Sequence, residues 1–193
     1  MKIMSYNDFM ILENVNNKLP VILYHATPSA NLDGILKNGL KPKLDNHTIG
    51  GGEIHEDRIF LSIYNNPYNM NLPIDKINSD LKMLKISTNG LDKEDFYPDD
   101  SLYWAYYNDQ LSDDDLSILF PELYKKYIIE DNYDDFGEWL IEKEHDVTDE
   151  EFDKFLKGKF YLTLPNSNIM GSYDAGEIAY KGIIPPENIL STE

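Results

Sequence analysis

Apolar residues fall in short blocks along this chain, and their spacing changes character twice. Val21-Ile22-Leu23-Tyr24, set behind Pro20, is a run that reads as a buried strand ending at His25, with Pro28 stopping further pairing. From Ser29 to Asn38 the pattern turns helical, with Leu32, Ile35 and Leu36 on one face and Gly39 as a left-handed stop. Ile59-Phe60-Leu61-Ser62 and Met83-Leu84-Lys85-Ile86-Ser87 predict two further strands, the second closed by the turn pair Asn89-Gly90. Leu102 to Tyr107 is rich in aromatic residues, and periodicity leaves strand and helix both open.

Around these blocks lie weaker signals. Residues 5–14 predict a short helix capped by Ser5 or Asn7, and Asn66-Pro67 resembles a helix start. Gly50-Gly51-Gly52 marks an exposed loop within 45–57. Between 112 and 157 the apolar positions Leu116, Leu119, Phe120, Trp139, Leu140, Phe152 and Phe155 recur at helical spacing. Ser112 and Thr148 are the caps there, and two to four amphipathic helices are expected. Phe160 to Leu164 and Glu177 to Tyr180 read as strands, and Pro185-Pro186-Glu187-Asn188 as a turn before a last short strand. The alternation of strands and helices predicts one α+β domain over residues 1–193. It comprises an N-terminal helical segment (1–19) and an acidic helical insertion (112–157).

Charge sharpens this picture. The formal net charge is −18, and residues 112–157 hold 16 acidic against 5 basic residues, a net of −11. Phosphate backbones are bound through Lys and Arg, so nucleic acid is disfavoured as a partner, and Arg58 is the only arginine. Cysteine is absent, which removes disulfides, thiolate catalysis and Cys-based zinc sites. No signal peptide and no apolar run of membrane-spanning length is read, so a cytoplasmic protein without membrane association is expected. His47 and His55, beside Glu53 and Glu56, match no zinc spacing, and no metal is expected. A Walker loop, a dinucleotide Gly fingerprint and a Ser nucleophile elbow are missing.

The chemistry-bearing residues are therefore few. His25 ends an apolar strand and is followed by the small residues Ala26 and Thr27, which leave backbone groups open to a ligand. An imidazole there can donate to a ribose hydroxyl. Leu23-Tyr24-His25-Ala26-Thr27, with the Ile-Leu-x-x-Gly-Leu ending at Leu40, resembles the first conserved region of ADP-ribosyltransferases. The likeness is to the branch with a His-Tyr-Glu triad, which includes diphtheria-toxin-like and poly(ADP-ribose) polymerase-like enzymes. Ile59 to Ser62 resembles the second strand of that family, and Asp174-Ala175-Gly176-Glu177-Ile178-Ala179-Tyr180 its third region. The likeness covers about residues 20–110 and 158–190 and leaves the acidic stretch unexplained.

That resemblance implies a fold of two small antiparallel or mixed sheets around an NAD+ cleft, and transfer of ADP-ribose from NAD+ to a macromolecular acceptor, protein rather than nucleic acid. Glu177 would stabilise the oxocarbenium-like ribose through its 2′-hydroxyl. Tyr68, with Tyr64 as second choice, would stack on the nicotinamide ring. His25 would hold the adenosine ribose, Ala26 would grip the carboxamide through its backbone, and Thr27 and Ser62 would add hydrogen bonds. Arg58 would meet the pyrophosphate. Ala175 stands where arginine-modifying members have Glu or Gln, so arginine is not the expected acceptor. The alternatives are a binding or decoy protein that engages a basic partner through its acidic helices, and an RNA 2′-phosphotransferase-like enzyme. The second asks for several basic residues around a phosphate.

Overall fold

The computed structural model describes residues 18–42, 57–66, 80–108, 110–130, 133–143, 149–165 and 176–192. The helix expected at 5–14, Gly50 to Gly52, His47, His55, His145, Pro67, Tyr68, the Thr148 cap and Ala175 lie outside them. In chain order the elements are β1 (Ile22–Pro28), α1 (Leu32–Asn38), β2 (Arg58–Ser62), β3 (Leu81–Ser87) and β4 (Phe96–Pro98). There follow α2 (Asp100–Tyr107), α3 (Asp113–Leu119), α4 (Pro121–Glu130), α5 (Phe136–Glu142), α6 (Asp149–Leu156), β5 (Glu177–Lys181) and β6 (Ile189–Thr192). The class is α+β, and a single six-stranded sheet in the order β4-β5-β2-β1-β3-β6, with every pairing antiparallel, replaces the two small sheets expected.

The single sheet nonetheless has a seam. β1 pairs with β3 over seven residues, Ile22↔Ser87 to Pro28↔Leu81, and β2 pairs with β5 over five, Arg58↔Lys181 to Ser62↔Glu177. Between these halves the β1–β2 register is one pair, Tyr24↔Ser62. This also explains why β1 runs on past His25 to Pro28. A proline is tolerated at a strand end whose missing N–H faces no ladder, and β2 is no longer paired there.

The two faces are filled by two clusters. Leu23, Leu61, Leu84, Ile86, Phe96, Phe160, Ile178 and Ile184 form one, against which Leu32 and Ile35 of α1 pack. Gly39 closes α1 by donating its N–H to the Ile35 carbonyl at 2.8 Å, with φ 80° and ψ 168°, so ψ is extended and not left-handed helical. A Cβ at Gly39 would lie 2.5 Å from the Ile184 carbonyl oxygen, which is why glycine stands where Leu40 bridges to Ile184.

On the other face, α2 to α6 pack Leu102, Tyr103, Leu116, Leu119, Phe120, Phe136, Trp139, Leu140, Phe152 and Leu156 against Tyr97 and Ala179 of the sheet. The expected apolar positions of 112–157 all point into this layer, with Phe155 partly buried. Ser112 and Asp115 form a reciprocal capping box on α3. The ambiguous aromatic stretch is helical because Asp99, in extended conformation, accepts the Ser101 N–H and starts α2. Phe160–Thr163 is a 3-10 turn and not the expected strand. Short apolar runs do not declare their own conformation. Here Phe160, Leu162 and Thr163 are buried in a turn tied by its side chain to β5.

Candidate functional site

Antiparallel register places directly opposed side chains on one face. Glu177↔Ser62, Ser62↔Tyr24 and Tyr24↔Lys85 therefore make a row of four residues across β5, β2, β1 and β3. Ser62 is fully buried, Glu177 is 8% exposed, and Tyr24 and Lys85 are half-buried. The row crosses the seam at its single β1–β2 pair. The cluster beneath the helical layer contains none of these four residues, so the row borders that layer on the same face as Phe60 and Ala179.

Glu177 is held by its backbone from both sides. Thr163 donates its hydroxyl to the Glu177 carbonyl at 2.7 Å and accepts the Asp99 N–H at 3.0 Å. The Gly176 N–H donates to the Thr163 carbonyl at 2.8 Å, and the Ile63 N–H to the Gly176 carbonyl at 2.9 Å. Ser62 Oγ accepts the Tyr64 N–H at 3.0 Å, which turns the chain as it leaves β2. That turn lays the Tyr64 ring over Gly176. A Cβ on Gly176 would come within 2.5 Å of Tyr64 Cε2, and its φ of 128° is one that favours glycine. Tyr64 stays 37% exposed, so one side of an aromatic ring is presented beside the glutamate. Tyr68, the first choice for that role, is outside the described residues.

His25 lies next to Tyr24 and so alternates to the opposite face, with Leu23 and Thr27. Its ring turns into the seam, where Nδ1–H donates to the Phe60 carbonyl at 2.9 Å. Burial lowers the imidazole pKa from its ordinary 6.5, and that carbonyl pulls weakly the other way. The ring is therefore neutral near pH 7, and with Nδ1 spent on Phe60 its Nε2 is an acceptor. The donor expected of this imidazole is thus engaged by the protein itself, which leaves an accepting Nε2. Thr27 is buried, and its hydroxyl accepts from Asn31 Nδ2 at 3.5 Å. Ala26 is half-buried on β1, on the face of Tyr24 and opposite to that of His25 and Thr27.

Arg58 is committed to partners inside the protein. Its guanidinium is fully buried, 4.0 Å from the Tyr97 ring centroid, and donates to Tyr103 Oη at 2.9 Å and to Asp153 Oδ1. Tyr103 in turn donates to Asp153 Oδ1 at 2.9 Å. Burial pushes the Tyr103 hydroxyl up to about 12 despite Arg58, so it remains a donor. The arginine fastens β2 to α2 and α6.

Of the residues singled out in the sequence, Glu177, Ser62 and Tyr64 lie together at one end of β5 and β2, His25 lies at the seam, and Arg58 lies buried beneath the helical layer. Sequence reasoning missed Thr163, Gly176 and the Tyr24–Lys85 end of the row. Only strand register could have found those last two, because their partners are 38 and 61 residues away in sequence. No group of three His, Asp or Glu side chains among the described residues is arranged to hold a metal ion, and none of their helices is long and apolar enough to cross a membrane. No protein-family model and no curated protein matches the sequence.

Proposed function

We propose that this chain is an ADP-ribosyltransferase-like enzyme. In this reading it cleaves the nicotinamide–ribose bond of NAD+ and passes ADP-ribose to a protein acceptor. The observation that carries the reading is the pairing of Glu177 with Ser62 at the seam, with the exposed Tyr64 ring lying over Gly176 beside it. A carboxylate on a backbone fixed by Thr163 is a preorganised acceptor for the ribose 2′-hydroxyl, where it stabilises developing oxocarbenium charge. The Tyr64 ring supplies a stacking surface for nicotinamide at the same end of β5. His25 stands at the seam, its ring neutral and held by the Phe60 carbonyl, on the face opposite to the row. The two halves of the sheet parting at one residue pair give a place for a cleft. Nicotinamide release from NAD+ by the purified chain tests the reading, and Glu177→Ala should abolish it.

A second reading, a binding protein that keeps this fold without chemistry, draws on the helical layer. Asp114, Glu122, Glu138, Glu142, Glu150 and Glu151 are exposed there, as a surface for a basic partner requires. Such a protein would turn over no NAD+ and would lose its partner when the acidic faces of α3 to α6 are neutralised.

A further inference from the structure

With Arg58 committed to Asp153, a dinucleotide site in this protein needs another cation for its diphosphate, and the register points to one. Lys82 and Lys85, both on β3, are the half-buried lysines among the described residues that make no ion pair or ring contact there. They lie on opposite faces. Lys82 pairs with Thr27, whereas Lys85 pairs with Tyr24 and so belongs to the row that ends at Glu177. The β3–β6 register also shifts between Lys85 and Ile86, so the ladder is irregular beside this lysine.

We infer that Lys85, with the Tyr24 hydroxyl beside it, binds the diphosphate of the dinucleotide whose nicotinamide ribose meets Glu177. The inference rests on the dinucleotide reading of the site. Lys85 and Glu177 are three strand spacings apart, about 14 Å between backbones, so they do not neutralise one another. They mark the two ends of one extended ligand, with an anion-binding group at one and a group for developing positive charge at the other. In a chain with 35 acidic and 17 basic residues, a half-buried lysine left free on the site's own face is a selective anion anchor. Tyr24 stands between Lys85 and Ser62 in the row and adds a phenol to the lysine's side of it.

Calorimetric titration of the full chain with NAD+, ADP-ribose and adenosine tests this, using Lys85→Met, Lys85→Arg and Lys82→Met. The expected result is binding of NAD+ and ADP-ribose weakened about tenfold or more in Lys85→Met. Affinity should be largely restored in Lys85→Arg and unchanged in Lys82→Met, with adenosine bound equally by all. Equal affinity of Lys85→Met and wild type for ADP-ribose overturns the role of Lys85 while leaving the dinucleotide reading intact. An equal loss for adenosine, which has no phosphate, overturns it as well and makes the lysine structural. If the wild type binds neither NAD+ nor ADP-ribose, the dinucleotide reading and this inference fall together.

Discussion

Removing Asp153 should cost this protein a large part of its stability. Asp153→Ala leaves the fully buried Arg58 guanidinium with the Tyr103 hydroxyl, the Tyr97 ring at 4.0 Å and Asp57 at 3.9 Å. Its Nε already has no hydrogen-bond acceptor. Breaking a buried pair from one side costs about 3–5 kcal/mol. Asp153 retains 22% exposure, so water softens the loss and the lower end, about 3 kcal/mol, applies. Against a total of about 5–15 kcal/mol that is a large fraction. It corresponds to a fall in Tm of about 6–12 °C for a chain of this size. The double variant Arg58→Met/Asp153→Leu removes both charges at similar volume and should lie within about 1 kcal/mol of wild type. Urea denaturation followed by circular dichroism gives all four corners of the cycle. A loss under about 0.5 kcal/mol for Asp153→Ala, or a double variant as unstable as the sum of its parts, would refute the clamp between sheet and helical layer.

The residues that fix this clamp show where sequence reasoning ends. Strand and helix positions were legible because periodicity is a local property, as in Ile59 to Ser62 and the apolar face of 112–157. The expected caps at Ser112 and the turn at Pro185 to Asn188 are local too. The fate of Arg58 is not local. Its acceptor is 95 residues away, and a lone arginine in an acidic chain looks the same in sequence whether it faces water or Asp153. The same holds for Phe160 to Thr163, whose conformation is decided by Asp99 and β5. Tyr24 and Lys85 join the site through register alone, and one residue of slip would send both to the other face.

Two further predictions concern the site itself. Gly176→Ala places a Cβ 2.5 Å from the Tyr64 ring at a φ of 128°, and should cost about 1–3 kcal/mol of stability by urea denaturation while displacing the ring. NAD+ turnover should fall with Glu177 intact, and unchanged turnover would remove Tyr64 from the site. The lowered pKa of His25 means that the unfolded chain takes up a proton below about 6.5 that the folded chain resists. Its contribution to stability is therefore full above that value and declines as the pH falls through it. Relative to His25→Gln, wild type should lose stability faster between pH 7.5 and 5.5 in urea melts, and parallel slopes would contradict the assignment of a buried neutral ring.

The role of Glu177 bears most directly on the whole account. Nicotinamide release from NAD+ should be measured with the wild-type chain and with Glu177→Gln, which keeps the size of the side chain and the Thr163 bond to its backbone. Loss of the carboxylate should slow release about 10²-fold or more at unchanged thermal stability. Equal release by the two proteins would contradict the proposal that this glutamate carries the chemistry.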